Sequence, residues 1–205
     1  GAYALIGAYT VLVFTRFLGL PIIVAYILAI LVGAGISVAT LKGIIVHVHG
    51  DPIRTFVVTL VLAVCLEQVI ILAFSGRAMA IEPLISGNIK ILGVRVSLNL
   101  VLAFFMAWMS IAALAGFVKK TYMGRAIVAT SMDRKGAILA GIDTGKEYIT
   151  VFAIAGGLAA LGGALYGSYT MIYPHMWAFP LVMSFIIVML GGVGSIMGTV
   201  LAAII

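Results

Sequence analysis

Glu67 is the one acidic residue deep inside an apolar run of this chain, and Gln68 stands beside it. A carboxylate in hydrocarbon is costly, so Glu67 must face protein or water. Two readings follow. Glu67 and Gln68 line a polar path, where the acid meets a cationic group such as a substrate amine. Alternatively, the carboxyl is neutral or bonded to a neighbouring helix and serves packing. Asn99, Ser110 and Ser184 are weaker candidates for such a path, and packing hydrogen bonds are the better account of each.

Other constellations fail on spacing. His47-x-His49 offers two imidazoles without further ligands and reads as part of a loop. The run from Gly141 to Glu147 has the look of a phosphate loop, but its glycines are too close together and Glu147 replaces the Ser or Thr that would hold Mg²⁺. Gly194-Ser195 lacks a G-x-S-x-G element, and His175 has no evident partner. The single Cys65 builds neither a disulfide framework nor a metal cluster. The expectation is a chain without catalytic residues, metal or cofactor of its own, and not an enzyme.

The elements that carry these residues are membrane-like. Hydrophobic residues make up 64% of the 205, charged residues 9%, and the mean hydropathy is +1.31. Runs of about 20 apolar residues cross the hydrocarbon core as helices, and closed barrels need a period-2 alternation absent here. The reading is an all-α, polytopic transmembrane helix bundle forming one domain over 1–205. Spans fall near 2–15, 21–41, 53–74, 98–118 and 148–171. Residues 75–97 form a mixed loop with room for a hairpin. Asp51-Pro52 and Thr144-x-x-Glu147 read as helix starts, the latter as a capping box. The turn from Tyr173 to Trp177 reads as interfacial, with Trp108 and Trp177 as anchors. Gly191, Gly192 and Gly194 separate two half-length apolar runs, 178–190 and 196–205, which suggests a broken or re-entrant pair. Gly156, Ala160, Gly163 and Gly167 give one smooth helix face for close packing, or for sliding during a conformational change. Both ends of the sequence lie within apolar runs, so a fragment of a longer protein is expected.

Residues 119–147 interrupt this pattern. They hold nine of the eighteen Asp, Glu, Lys and Arg residues. Placing them inside the cell puts eight Lys and Arg in inner loops against Arg16, Arg77, Lys90 and Arg95 outside, as the positive-inside rule favours. Basic loops of this kind account for the net charge of +6 without nucleic acid. Two short helices fit, 121–129 and 134–140, with Ser131 or Asp133 capping the second and Gly141 ending it. The expected partner surface is Ala137, Ile138, Ala140 and Ile142.

The run Gly124-Arg125-Ala126-Ile127-Val128-Ala129-Thr130, then Asp133-Arg134, then Ala137 through Ala140-Gly141-Ile142, resembles the cytoplasmic loop of ABC importer permeases, in particular the branched-chain amino acid group (LivH/LivM type). The glycine-alanine span from Phe152 to Gly163, Tyr173-Pro174, and Leu190 to Thr199 are similar to the group's later segments. Val128 stands where the family commonly has a basic residue, and Gly136-Ala137 where it usually has Glu before an alanine pair. The resemblance implies a multi-pass permease of the cytoplasmic membrane that carries hydrophobic amino acids. It would pair with a second permease subunit, receive substrate from an extracytoplasmic binding protein, and be driven by separate ATPase subunits holding ATP and Mg²⁺. Those ATPases would dock on Gly124, Arg125, Asp133, Arg134, Ala137, Ala140, Gly141 and Ile142. Related permeases for urea, amides or sugars are the alternative, and a membrane scaffold or enzyme with a docking loop is a further one.

Overall fold

The computed structural model describes residues 1–48, 52–74, 76–81, 83–85, 87–91, 94–192 and 194–205. His49 of the histidine pair and the expected Asp51 cap lie outside them. In chain order the elements are α1 (Ala2–Arg16), α2 (Ile22–Gly43), α3 (Pro52–Phe74), β1 (Asn88–Ile91), β2 (Val94–Ser97), α4 (Leu98–Lys120), α5 (Tyr122–Met132), α6 (Arg134–Leu139), α7 (Thr144–Tyr169), α8 (Ala178–Gly191) and α9 (Ile196–Ile204). Single 3₁₀ turns occupy Ile45–Val48 and Pro174–Trp177. Among the described residues the fold is an all-α bundle with a small antiparallel strand pair, β1 with β2, in which Asn88 pairs with Ser97.

The centre is α1, α2 and α7, held by small residues. Gly163 of α7 lies against the Ala4 carbonyl of α1, and Gly7 lies against Ala160. Gly156 sits between Ser37 and Gly33 of α2. A Cβ at any of these glycines would run into backbone or a fixed side chain. Removing it lets the helix axes approach, which is how helices gain packing energy in lipid, where apolar burial alone gives little. Contacts fix the directions. Ala4 and Ala8 meet Gly163 and Gly167 in the same order, so α1 runs parallel to α7. On α2, Tyr26 donates to the Ala164 carbonyl at 3.2 Å and Ser37 to the Phe152 carbonyl at 2.7 Å, so α2 runs antiparallel. Leu5, Leu12, Leu161, Leu165, Ile172 and Met176 fill the space around this seam.

The periphery is apolar and open, as a lipid-facing surface must be. Phe104, Phe105 and Met109 of α4 are exposed, and α8 buries no residue. Five segments among the described residues are long and apolar enough to cross a membrane: Ile22–Gly43, Val57–Phe74, Leu98–Lys120, Thr144–Tyr169 and Pro174–Gly191. The last differs from the short 178–190 run expected from the sequence, because the Pro174–Trp177 turn continues into α8. After the turn at Gly192 (φ 81°) and Gly194 (φ 91°), α9 packs back on α8 with Gly191 against Gly198.

Candidate functional site

The polar loop folds as two capped helices. Thr121 accepts the Gly124 amide at 3.0 Å and starts α5. Gly124 is buried at the α4–α5 corner, where a Cβ would strike the Phe117 carbonyl and Val118. Asp133 caps α6 by accepting the Lys135 amide at 2.9 Å, so Asp133 rather than Ser131 takes that role. At the far end, Gly141 has φ 82°. The Gly141 amide reaches the Ile138 carbonyl at 3.0 Å and the Ile142 amide reaches Ala137 at 3.1 Å. These two bonds are a Schellman stop. The helix orientation corrects one expectation: Ala137 is buried and Ile142 half-buried, while Leu139 and Met132 are 89% and 85% exposed beside exposed Ile138 and Ala140. Arg125 is exposed, and the Arg134 guanidinium lies 5.6 Å from the centre of the Tyr148 ring.

The return to the membrane is also capped differently from expectation. Asp143, not Thr144, starts α7. Its Oδ1 accepts the Gly145 and Lys146 amides at 3.1 and 3.3 Å, and Lys146 Nζ lies 3.2 Å from Oδ2. The hydrogen bond from the Lys146 side chain, followed by that from its amide, holds the Asp143 carboxyl below the usual carboxylate range. A capping box would have Glu147 reach back to the cap. Instead Glu147 is buried at 4% exposure, and its Oε1 has no partner. Thr130 Oγ1 on α5 is likewise buried without a partner. Nothing in the sequence pattern distinguishes this inward Glu from a capping one.

The polar path candidates separate. Glu67 is buried, accepts the Trp177 indole N–H at 2.7 Å, and pairs through its other oxygen with His175 Nδ1. His175 thus has a partner, and Trp177 is turned inward rather than serving as an interfacial anchor. Gln68 faces away and is exposed. Asn99 is buried and saturated: its amide donates to the Ser168 carbonyl and hydroxyl at 3.1 and 3.0 Å and accepts the Leu84 amide at 3.2 Å. Ser110 and Ser184 donate to carbonyls of their own helices. The structure therefore does not gather Glu67, Gln68 and Asn99 into one site. Two aromatic-side partners of Glu67 lie over a hundred positions away and carry no local signal.

The two short helices α5 and α6 thus connect the span α4 to the span α7. The family model for the branched-chain amino acid transport system permease component matches residues 1–205. The chain belongs to this family. It is 28% identical over 149 residues to the high-affinity branched-chain amino acid transport permease BraD of Pseudomonas aeruginosa, a match covering 70% of this chain and 48% of that one. It is 33% identical over 103 residues to LivH of Escherichia coli, covering 50% and 33%. It is 34% identical over 112 residues to the autoinducer 2 import permease LsrC of Salmonella typhi, covering 51% and 30%. The aligned part spans less than half of each of these relatives. No solved structure matches. The permease is thus a multi-pass membrane protein whose motif-bearing residues lie on the α5–α6 loop and on the glycine faces of α7 and α8–α9.

Proposed function

We propose that this permease is the membrane part of an ABC importer for branched-chain amino acids in the cytoplasmic membrane, driven by ATPase subunits that dock on residues 119–147. The observation that carries the reading is the α5–α6 loop. Capped at both ends and continuous with α4 and α7, it presents Met132, Ile138 and Leu139 to solvent. Exposed apolar side chains on a basic cytoplasmic loop are expensive to leave bare, and a partner groove covers them. A push on α6 passes through the Asp133 and Gly141 corners to the spans on either side. ATP and Mg²⁺ sit on the ATPase, and this chain hydrolyses nothing. A second permease subunit completes the pathway, and an extracytoplasmic binding protein delivers substrate. The small-residue faces at Gly156, Gly163 and Gly167, with the turn at Gly191, Gly192 and Gly194, are the surfaces on which the spans shift.

The test uses the full-length protein with its ATPases in proteoliposomes. Ala140→Pro removes the amide that reaches the Gly136 carbonyl at 2.9 Å and disfavours helix at Leu139. Co-purification of the ATPase and ATP-driven leucine uptake should both be lost; survival of both removes the docking claim. The match to an autoinducer 2 import permease favours a second reading, the same machine with another small solute. Uptake of labelled leucine against urea and ribose separates the two.

A further inference from the structure

Glu147 presents a problem that the docking loop does not solve by itself. Its side chain is buried at 4% exposure one turn inside α7, with Oε1 shut off from solvent and without a donor. An acid buried with an unmet oxygen is strongly unfavourable unless something supplies a donor or a charge. Glu147 lines a cavity of about 230 Å³ between α5 and α7, together with Ile127, Thr130, Ser131, Val151 and Phe152. Thr130 lines this cavity too, and its Oγ1 is likewise buried and unpartnered. Ile127, Val151 and Phe152 make the walls mainly apolar, Ser131 and Tyr148 complete them, and no basic side chain is among the lining residues.

Resting on the docking reading above, we infer that this cavity is a receptor for a primary ammonium on an aliphatic stem, supplied by a lysine side chain of the docked ATPase. The stem lies along Ile127, Val151 and Phe152. The ammonium donates to the Glu147 carboxylate, which turns into the cavity it already lines, and to the Thr130 hydroxyl oxygen. A transported amino acid fits less well, because its own carboxylate would meet no cation there. The chain's own Arg134 is the internal competitor. It stands at the Tyr148 ring, and Tyr148 borders this cavity. The lysine would thus tie the ATPase to both the loop helix α5 and the span α7, a bond that Leu139 and Met132 on the outer surface do not provide.

n-Butylammonium chloride reproduces the lysine stem and serves as the probe. The full-length permease in lipid nanodiscs is titrated with it and, as the neutral match, with n-butanol, following the thermal midpoint. A saturable rise with butylammonium and none with butanol is expected, lost in Glu147→Gln and kept in Arg134→Gln. ATPase association with Glu147→Gln should weaken on the order of thirtyfold, as for truncating one partner of a buried charge pair. An equal response to butanol, an undiminished response in Glu147→Gln, or loss of the response in Arg134→Gln each overturns the inference. If Glu147→Gln does not fold, the wild-type contrast between butylammonium and butanol decides alone. Normal ATPase binding by Glu147→Gln alongside its loss in Ala140→Pro would leave the docking loop standing and remove this site.

Discussion

Trp177 donates its indole N–H to Glu67 at 2.7 Å, clasping the turn before α8 to the interior of α3. His175 takes the other carboxylate oxygen. With both oxygens engaged, Glu67 acts as a fastener between distant parts of the chain, and the bonded reading of this acid accounts for the geometry better than an open path does. Glu67→Ala strands the half-buried indole donor and should cost about 1–2 kcal/mol, measured as thermal or denaturant unfolding in nanodiscs. Glu67→Gln keeps an acceptor for Trp177 and should lose less. Combining Glu67→Ala with Trp177→Phe should be clearly less than additive. Full additivity would mean that the two side chains do not share a bond in the folded protein.

Gly162 and Gly163 are adjacent on α7 but meet different surroundings. A Cβ at Gly163 runs into the Ala4 carbonyl, whereas nothing lies within 4 Å of one at Gly162. Gly163→Ala should therefore cost about 1–3 kcal/mol by overpacking the α1–α7 seam. Gly162→Ala should be neutral or stabilise by up to about 1 kcal/mol through helix propensity. Equal melting of the two variants would show that the seam does not depend on close backbone approach.

Much of this fold was legible because its signals are local. Apolar runs located the spans, the glycines at 156, 163 and 167 marked the packed face, and Asp133 and Gly141 bounded α6. Side-chain direction was less accessible. Ala137 and Leu139 sit two positions apart, about 200° around the helix, so when one faces solvent the other faces inward, and a six-residue helix is too short for an apolar stripe to say which. Thr144-x-x-Glu147 satisfies a capping pattern, yet Asp143 one residue earlier offers a better placed acceptor, and Glu147 turns inward instead. Glu67 was recognisable as a costly acid. Its partners at 175 and 177 were not, because tertiary pairing across more than a hundred residues leaves no spacing to read.

Asp143 gives a pH signature at the start of α7. Its carboxyl is held below the usual range mainly by the Lys146 hydrogen bond. A group whose folded pKa is depressed stabilises the fold above its unfolded pKa, about 4, and loses that contribution as pH falls through the folded value. Asp143→Asn keeps an oxygen for the Gly145 and Lys146 amides but loses the ion pair. Its melting deficit relative to wild type should be present at pH 7 and shrink below about pH 4. Asp143→Ala also removes the cap acceptor, so its deficit should persist across the whole range. A deficit for Asp143→Asn that grows on acidification would contradict this linkage.

Gly141 is where α6 must stop for the chain to turn back towards α7. Its φ of 82° places the backbone in the left-handed region, and the Schellman bonds to Ile138 and Ala137 depend on it. A β-branched residue there costs roughly 1–2 kcal/mol, whereas Asn tolerates the conformation. Gly141→Val should therefore open α6 roughly ten times more often than wild type. Limited trypsin digestion at Arg134 and Lys135 in nanodiscs reads this opening directly, and Gly141→Asn should stay near the wild-type rate. If α6 transmits the ATPase stroke, leucine uptake should fall in the same order as tryptic protection. Normal uptake by a Gly141→Val protein with a frayed α6 would show that the stroke enters through α5 instead, by way of the buried Gly124 corner with α4.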